Sequence, residues 1–258
     1  MDALNLLPLF LLVLVRLASF FFTAPVFSYR GIPARFKIGL SACFAWIVTL
    51  SMHDHAVPLT GAFPLIVMKE ALIGLSIGFA AGLLFYAIQI AGGFIDLQTG
   101  FAIANLIDPN NGMQTPITGQ FLYVLMIVFF FAADAHHMFL NGIYYSFQWV
   151  PVEGKATALF SGAGAHDISQ LFLQMFAIAF QMALPIVGSL FLVDVAVGIV
   201  ARTVPQLNVF VVGLPLKIAA SLLILFFAMP LYVAFFRDLF DWAASGMRDF
   251  MALLGSPK

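Results

Sequence analysis

The sequence predicts an all-α membrane protein, and three observations carry this prediction. Of the 258 residues, 63% are hydrophobic and only 9% are charged, whereas a soluble domain needs about a quarter charged residues. The mean hydropathy is +1.05. Several apolar runs also exceed the about 20 residues that cross a bilayer as a helix. We therefore expect a polytopic helical protein in one domain over residues 1–258, surrounded by lipid or other apolar protein.

The apolar runs are too long for simple spans. They are Leu4–Phe27, Ile38–Met52, Phe63–Ile95, Phe121–Val150, Leu171–Val200 and Val209–Phe236. As one helix, the third run would be about 50 Å long, against about 30 Å of hydrocarbon. Pro185, Pro215 and Pro230 interrupt the last two runs, and proline kinks a helix. Because lipid satisfies no freed carbonyl, we expect long, proline-broken helical hairpins built to pack into a multi-subunit assembly.

The distribution of charge assigns no membrane orientation. The first run follows Met1 and Asp2 without basic residues, so we expect an uncleaved helix rather than a signal peptide. With six spans, four basic residues fall on each side, so the positive-inside rule gives a tie. Either the span count is wrong or the chain lies in the bilayer in an unusual way. The net charge of −1 argues against nucleic acid as a partner.

The C-terminal segment, residues 237–254, is predicted to be an amphipathic helix. Its polar side comprises Asp238, Asp241, Ser245, Arg248 and Asp249. Its apolar side comprises Phe240, Met247, Phe250, Met251 and Leu254. At about 100° per residue these sets occupy opposite faces. Such a helix lies on a membrane interface or against a partner, unless it is an ordinary surface helix.

Gly74, Gly78 and Gly82 are predicted to form a helix-packing ridge. GLSIG, from Gly74 to Gly78, also matches the G-x-S-x-G nucleophile elbow, but that motif needs a strand-to-helix turn. Glycines spaced by four on a helix instead let another helix approach closely. We expect this ridge to be an assembly surface, with a hydrolase that uses Ser76 or Asp134 as an alternative.

The polar residues predict neither a metal site nor a catalytic site. In DAHHM, Asp134 and His137 could share a helix face. Adjacent His136 and His137 point about 100° apart, whereas helical zinc ligands lie one turn apart. Two ligands without a third favour an ordinary polar pair at a helix end. The sequence contains no P-loop, no dinucleotide-binding fingerprint and no metalloprotease or intramembrane-protease motif, so nothing supports an enzyme.

Charges inside the apolar runs are predicted to form ion pairs. They are Arg16, Lys69, Glu70, Asp134, Asp194 and Lys217. Charges at membrane depth are costly and usually face partners or water. Equal numbers of both signs favour structural pairing over a proton relay. We take Arg16, Glu70, Asp194 and Lys217 as the buried set.

The central segment, residues 96–120, is a polar loop with an apolar insert at Phe101–Ile107. GGFIDLQTGFA, from Gly92 to Ala102, leads into this segment, and an Asp-Pro pair follows at Asp108 and Pro109. This motif resembles the FliR family, as do TAPVFSYRGIPARFKIGLS, ALIGLSIGF and RTVPQLNVFVVGLPLKI. The resemblance extends from about Arg16 to Phe236.

The resemblance implies a non-enzymatic core subunit of the flagellar type III protein export gate. Such a subunit would lie at the flagellar basal body, in the bacterial inner membrane and in contact with lipid. It would assemble with FliP-family and FliQ-family subunits, dock with an FlhB-family protein and pass unfolded rod, hook and filament proteins. No cofactor is implied.

The resemblance also implies that the central loop plugs the pore. By position, the sealing residues would be Phe101, Ile103, Leu106, Ile107 and Met113. Two alternatives remain: the homologous subunit of a virulence secretion system, and a small-solute transporter with broken helices at its binding site.

Overall fold

The computed structural model describes residues 3–29, 31–52, 61, 63–102, 116–152, 162–204 and 209–255. Within these residues the chain forms seven α-helices and no strand. They are α1 (Ala3–Thr23), α2 (Ala34–Ser51), α3 (Phe63–Thr99), α4 (Ile117–Ala132), α5 (Ala135–Trp149), α6 (Gly162–Thr203) and α7 (Val209–Gly255). The predicted all-α polytopic fold is confirmed.

Five helices are long and apolar enough to cross a membrane: α1, α2, α3, α6 and α7. A sixth span is possible if α4 and α5, separated by a short break, count as one. The helices α6 and α7 contain 42 and 47 residues, far more than a bilayer needs. Both continue through their internal prolines. Neither helix ends at a proline, so the breaks expected at Pro185, Pro215 and Pro230 do not divide these helices.

The fourth apolar run, Phe121–Val150, is divided into two helices at the polar residues of DAHHM. The helix α4 ends at Ala132 and α5 begins at Ala135. Asp134 stands between them with a φ of 53°, a left-handed conformation that costs a non-glycine residue energy and ends a helix. The sequence predicts one continuous run because apolar residues precede Asp134 and resume at Met138 after the two histidines.

The helices form two compact units. The first comprises Met1–Leu84, Asp134–Phe172 and Asp241–Lys258, and the second comprises Phe85–Ala133 and Leu173–Phe240. Three helices, α3, α6 and α7, pass from one unit into the other. The single domain expected from the sequence stays a prediction.

The core of the first unit is built on α1. Leu9, Leu12, Val13, Phe20 and Phe21 of this helix have no solvent exposure. The helix α2 packs against α1, and Phe21 contacts Phe44 with ring centroids 6.1 Å apart. Burial of such side chains stabilises each by about 1.5–3 kcal/mol.

The core of the second unit is aromatic. Phe85 of α3, Phe130 of α4 and Phe240 of α7 form a cluster with ring centroids 5.5–6.1 Å apart, a spacing typical of favourable aromatic pairs. Tyr232 donates its hydroxyl hydrogen to the carbonyl of Met182 at 2.9 Å. This bond joins α7 to α6.

The C-terminal amphipathic segment is not a separate helix, because it continues α7 to Gly255. Its apolar residues Met247, Phe250 and Met251 are buried within the chain. A Cβ on Gly142 of α5 would lie 2.8 Å from Cε of Met247, so α5 covers part of this face. The apolar face expected to meet a membrane interface or a partner is thus buried by the protein itself.

Candidate functional site

The base of the central loop, where α3 ends and α4 begins, is the candidate functional site. Asp96–Thr99 belong to α3 and Ile117–Gln120 to α4. Gly100 ends α3 with a φ of 93°, a conformation that favours glycine. Phe101 follows, half-buried. The other predicted plug residues, Ile103, Leu106, Ile107 and Met113, lie outside the described residues.

Asp96 caps α4 from across the loop. This residue is only 3% exposed. Its carboxylate accepts hydrogen bonds from the backbone N–H of Thr118 at 3.2 Å and from the Thr118 hydroxyl. Pro116, which immediately precedes α4, makes no side-chain hydrogen bond that caps the helix. Because a helix N-terminus has free N–H groups and partial positive charge, Asp96 supplies both the acceptor and the complementary charge.

Two glycines bring the backbones of α3 and α4 into contact. A Cβ on Gly92 would lie 2.0 Å from Cα of Gly119, and a Cβ on Gly119 would lie 3.0 Å from the carbonyl oxygen of Gln89. No side chain fits at Gly92. The two ends of the loop therefore leave from one closely packed helix pair.

A polar network holds the last turn of α3. Nε2 of Gln98 donates to Oδ2 of Asp194 on α6 at 2.8 Å. Nζ of Lys217 on α7 lies 2.9 Å from Oδ1 of the same carboxylate. The pairing expected for Asp194 and Lys217 is present. Both were expected to be buried, but within the chain their side chains are 38% and 21% exposed.

The first unit contains a fully buried ion pair. Nε of Arg16 lies 2.5 Å from Oε2 of Glu70, with no exposure of either side chain. The Arg16 guanidinium also donates to the carbonyls of Ser146 and Val150 at 3.0 and 2.8 Å. Arg16 thereby joins α1 to α3 and α5. Lys69 supplies a second cation, 3.0 Å from Oε1 of Glu70.

The same guanidinium lies over an aromatic ring. Cζ of Arg16 is 4.3 Å from the ring centroid of Phe147 on α5, within the range of a cation–π interaction. The planar guanidinium can stack on a ring while its edge donates to several acceptors, which an ammonium group cannot do.

The glycine ridge packs against α1 of the same chain. A Cβ on Gly74 would lie 2.2 Å from the carbonyl oxygen of Arg16, and one on Gly78 would lie 2.1 Å from Oγ1 of Thr23. Gly82 is also buried. The helix that packs against Gly74 and Gly78 is therefore α1 of the same chain, whereas we expected the ridge to be an assembly surface.

The hydrolase alternative does not fit the geometry at Ser76. This residue lies inside α3, and its hydroxyl donates to the Leu72 carbonyl of the same helix at 2.7 Å. A nucleophile elbow instead needs a sharp turn that exposes the hydroxyl.

The structure brings together three possible metal ligands that the sequence analysis did not combine into one site. Asp134, His136 and His137 each offer a ligand atom, and these atoms lie within 4.8 Å of one another. The two imidazole rings are 4.2 Å apart between centroids. Asp134 precedes α5 with a left-handed backbone, so helical spacing does not describe its position, and the adjacent imidazoles lie close together despite their spacing in α5.

Comparisons with known proteins identify the family. Residues 7–243 match the model of a family described as bacterial export proteins, family 1. The chain is also 46% identical over 256 residues to the flagellar biosynthetic protein FliR of Bacillus subtilis, covering 98% of both chains. The chain belongs to the FliR family.

More distant FliR relatives cover nearly the same length. FliR of Escherichia coli is 28% identical, covering 97% of this chain and 95% of its own. The Yop proteins translocation protein T of Yersinia pestis is 31% identical, covering 85% of each chain. Together with the long apolar helices, this membership makes the chain a membrane protein of the bacterial export family.

Proposed function

We propose that this FliR-family chain is a non-enzymatic core subunit of the flagellar type III protein export gate. The observation that carries the proposal is 46% identity over 98% of the chain to a flagellar biosynthetic protein. The relative from the Yop translocation system is less similar, at 31% over 85% of the chain. The flagellar function is therefore favoured over the virulence one.

The proposed partners are FliP-family and FliQ-family subunits, an FlhB-family protein and exported flagellar proteins, in the inner membrane. Support comes from the amount of apolar surface that the chain leaves uncovered. In the parts of α6 and α7 that could span a membrane, 17% and 11% of the residues are buried within the chain. The half-exposed Asp194–Lys217 pair lies on these helices. Because charge is costly against lipid, a protein partner or water is the better neighbour for it.

The central loop is proposed to close the pore, with Phe101, Ile103, Leu106, Ile107 and Met113 as sealing residues. An apolar constriction excludes water and ions without strong bonds, so an arriving export substrate can displace it. The loop base suits this task because the Asp96 cap and the Gly92–Gly119 contact hold both ends of the loop. Gly100, Pro109 and Gly112 favour turns within it.

Deletion of residues 102–112 tests this function. We expect the gate to assemble with its partners in normal yield, while cells that express it become permeable to ions and small molecules. The measurements are the yield of the purified complex and the membrane permeability of the cells. Loss of assembly, or assembly without a leak, would show that the loop is structural.

A length-preserving variant separates sealing from loop length. Changing the five apolar sealing residues to serine keeps the glycines, the prolines and the chain length. We expect this variant to leak, because serine side chains admit water. The matched control changes Asn110 and Asn111 to serine and is expected to remain tight. Equal permeability of the two variants would count against an apolar seal.

A further inference from the structure

We propose that Asp134, His136 and His137 bind a divalent transition-metal ion, with Zn²⁺ as the best match. The ligand atoms of all three side chains lie within 4.8 Å of one another at the start of α5. This site shares no residue with the loop base, and the proposal does not depend on the export function.

The chemistry of the donors selects the class of ion. Two imidazole nitrogens and one carboxylate oxygen are ligands that Zn²⁺ binds in proteins, often with water at a fourth position. Mg²⁺ and Ca²⁺ prefer sites made of oxygen alone. Cu²⁺ and Ni²⁺ also accept imidazole, so the site is expected to bind these ions as well.

The geometry is close to that of a bound site. Zn²⁺ with ligand bonds of about 2.0–2.1 Å in a tetrahedron places its ligand atoms about 3.4 Å apart. From separations of at most 4.8 Å, the side chains must close by about 1.4 Å or less. Asp134 and His137 are exposed and His136 is half-buried. Rotation of exposed side chains between rotamers supplies movements of this size.

The position of Asp134 supports a role in ligation. An aspartate at an N-cap ordinarily accepts a hydrogen bond from an N–H of the first turn. Asp134 makes no such side-chain bond, and its carboxylate lies instead beside the two histidines. The helix N-terminus carries partial positive charge that repels a cation. The negative charge of Asp134 offsets this repulsion, so the carboxylate should contribute strongly to affinity.

Zinc titration of the full-length chain tests the proposal. The chain would be used in detergent, in the assembly in which it purifies and with any affinity tag removed. Competition with a chromophoric chelator then measures stoichiometry and affinity. We expect one Zn²⁺ per chain. His137→Ala and Asp134→Asn should each weaken binding at least about tenfold, since changes to mere neighbours of metal ligands cost about 10–100-fold.

The matched control is His166→Ala, which removes an exposed histidine of α6 outside the cluster. This variant should bind zinc as the wild type does. An equal loss in His166→Ala, or wild-type binding retained after combining Asp134→Asn, His136→Ala and His137→Ala, would overturn the site.

The wild-type protein also tests the site without a substitution that disturbs folding. After treatment with a chelator, Zn²⁺ should raise the unfolding temperature, because a ligand that binds the native state stabilises it. The same concentration of Mg²⁺ should have no such effect. No rise with Zn²⁺, or an equal rise with both ions, would contradict a site of imidazole and carboxylate.

Discussion

Nε of Arg16 lies 2.5 Å from Oε2 of Glu70, and neither side chain has any exposure to solvent. The two residues stand on α1 and α3, and Arg16 also donates to α5 through the Ser146 and Val150 carbonyls. A buried charge without its partner costs far more than the pair contributes. Arg16 is therefore the residue whose loss should most disturb the first unit.

We predict that Arg16→Ala destabilises the chain by about 3–5 kcal/mol, since it removes one partner of a buried pair. It also removes the guanidinium bonds to the Ser146 and Val150 carbonyls, although the Ser146 carbonyl keeps the backbone N–H of Val150. Glu70→Ala should be destabilising too, and the double variant should lose less than the sum of the two. Thermal unfolding in detergent measures the three values, and strict additivity would show that the pair is not coupled.

The second prediction concerns the glycine ridge. Gly74→Ala should destabilise the chain by about 1–3 kcal/mol or more, because its Cβ would meet the Arg16 carbonyl oxygen at 2.2 Å. Gly78→Leu should have a larger effect. The measurement is the amount of monodisperse protein recovered and its unfolding temperature.

Two matched controls accompany the ridge variants. Ser76→Ala changes a residue that lies between the two glycines and donates its hydroxyl hydrogen to the Leu72 carbonyl of its own helix. Gly188→Ala adds a Cβ that meets nothing within 4 Å and improves helix propensity by up to about 1 kcal/mol. Both should leave stability unchanged or improve it. A similar loss in Gly188→Ala and Gly74→Ala would rule out close packing as the cause.

The third prediction concerns Asp96, which caps α4. Asp96→Ala should cost about 1–2 kcal/mol through loss of the cap to Thr118 and should increase leakage through the gate. Asp96→Asn keeps an acceptor and should cost less. Thr99→Val removes the hydroxyl bonds to the Ile95 and Asp96 carbonyls within α3, leaves the Asp96 carboxylate in place and serves as the control for stability and permeability. If Thr99→Val leaks as much as Asp96→Ala, the cap does not position the loop.

The all-α fold class and the presence of ion pairs could be predicted from the sequence, because composition, hydropathy and charge can be read from each segment by itself. The partners of each group could not. Arg16 and Glu70 are 54 positions apart in the chain, and nothing in either segment indicates the other. The polar pair at Asp134 and His137 was expected at a helix end, but the left-handed backbone that divides the run there depends on a single residue and was not predicted. Ideal helical spacing does not apply to Asp134 across that break, and it also did not indicate that the rings of His136 and His137 lie 4.2 Å apart.

The last prediction concerns the network of Gln98, Asp194 and Lys217. Exposed ion pairs contribute about 0–1 kcal/mol, so Lys217→Met should change the stability of the chain little. It should nevertheless disturb the gate, because Asp194 connects Gln98, next to the loop, with α6 and α7. We expect lower complex yield or greater leakage from Asp194→Asn and Lys217→Met.

Exchange of the two charges distinguishes pairing from proton transfer. In the double variant Asp194→Lys, Lys217→Asp the pair is restored with reversed polarity, and the Gln98 amide oxygen can accept from the new ammonium group. Pairing predicts that this variant recovers assembly and tightness that each single change loses. A relay instead needs a carboxylate at position 194. If Asp194→Asn assembles normally while secretion stops responding to the proton gradient, the relay is correct and the network is not merely structural.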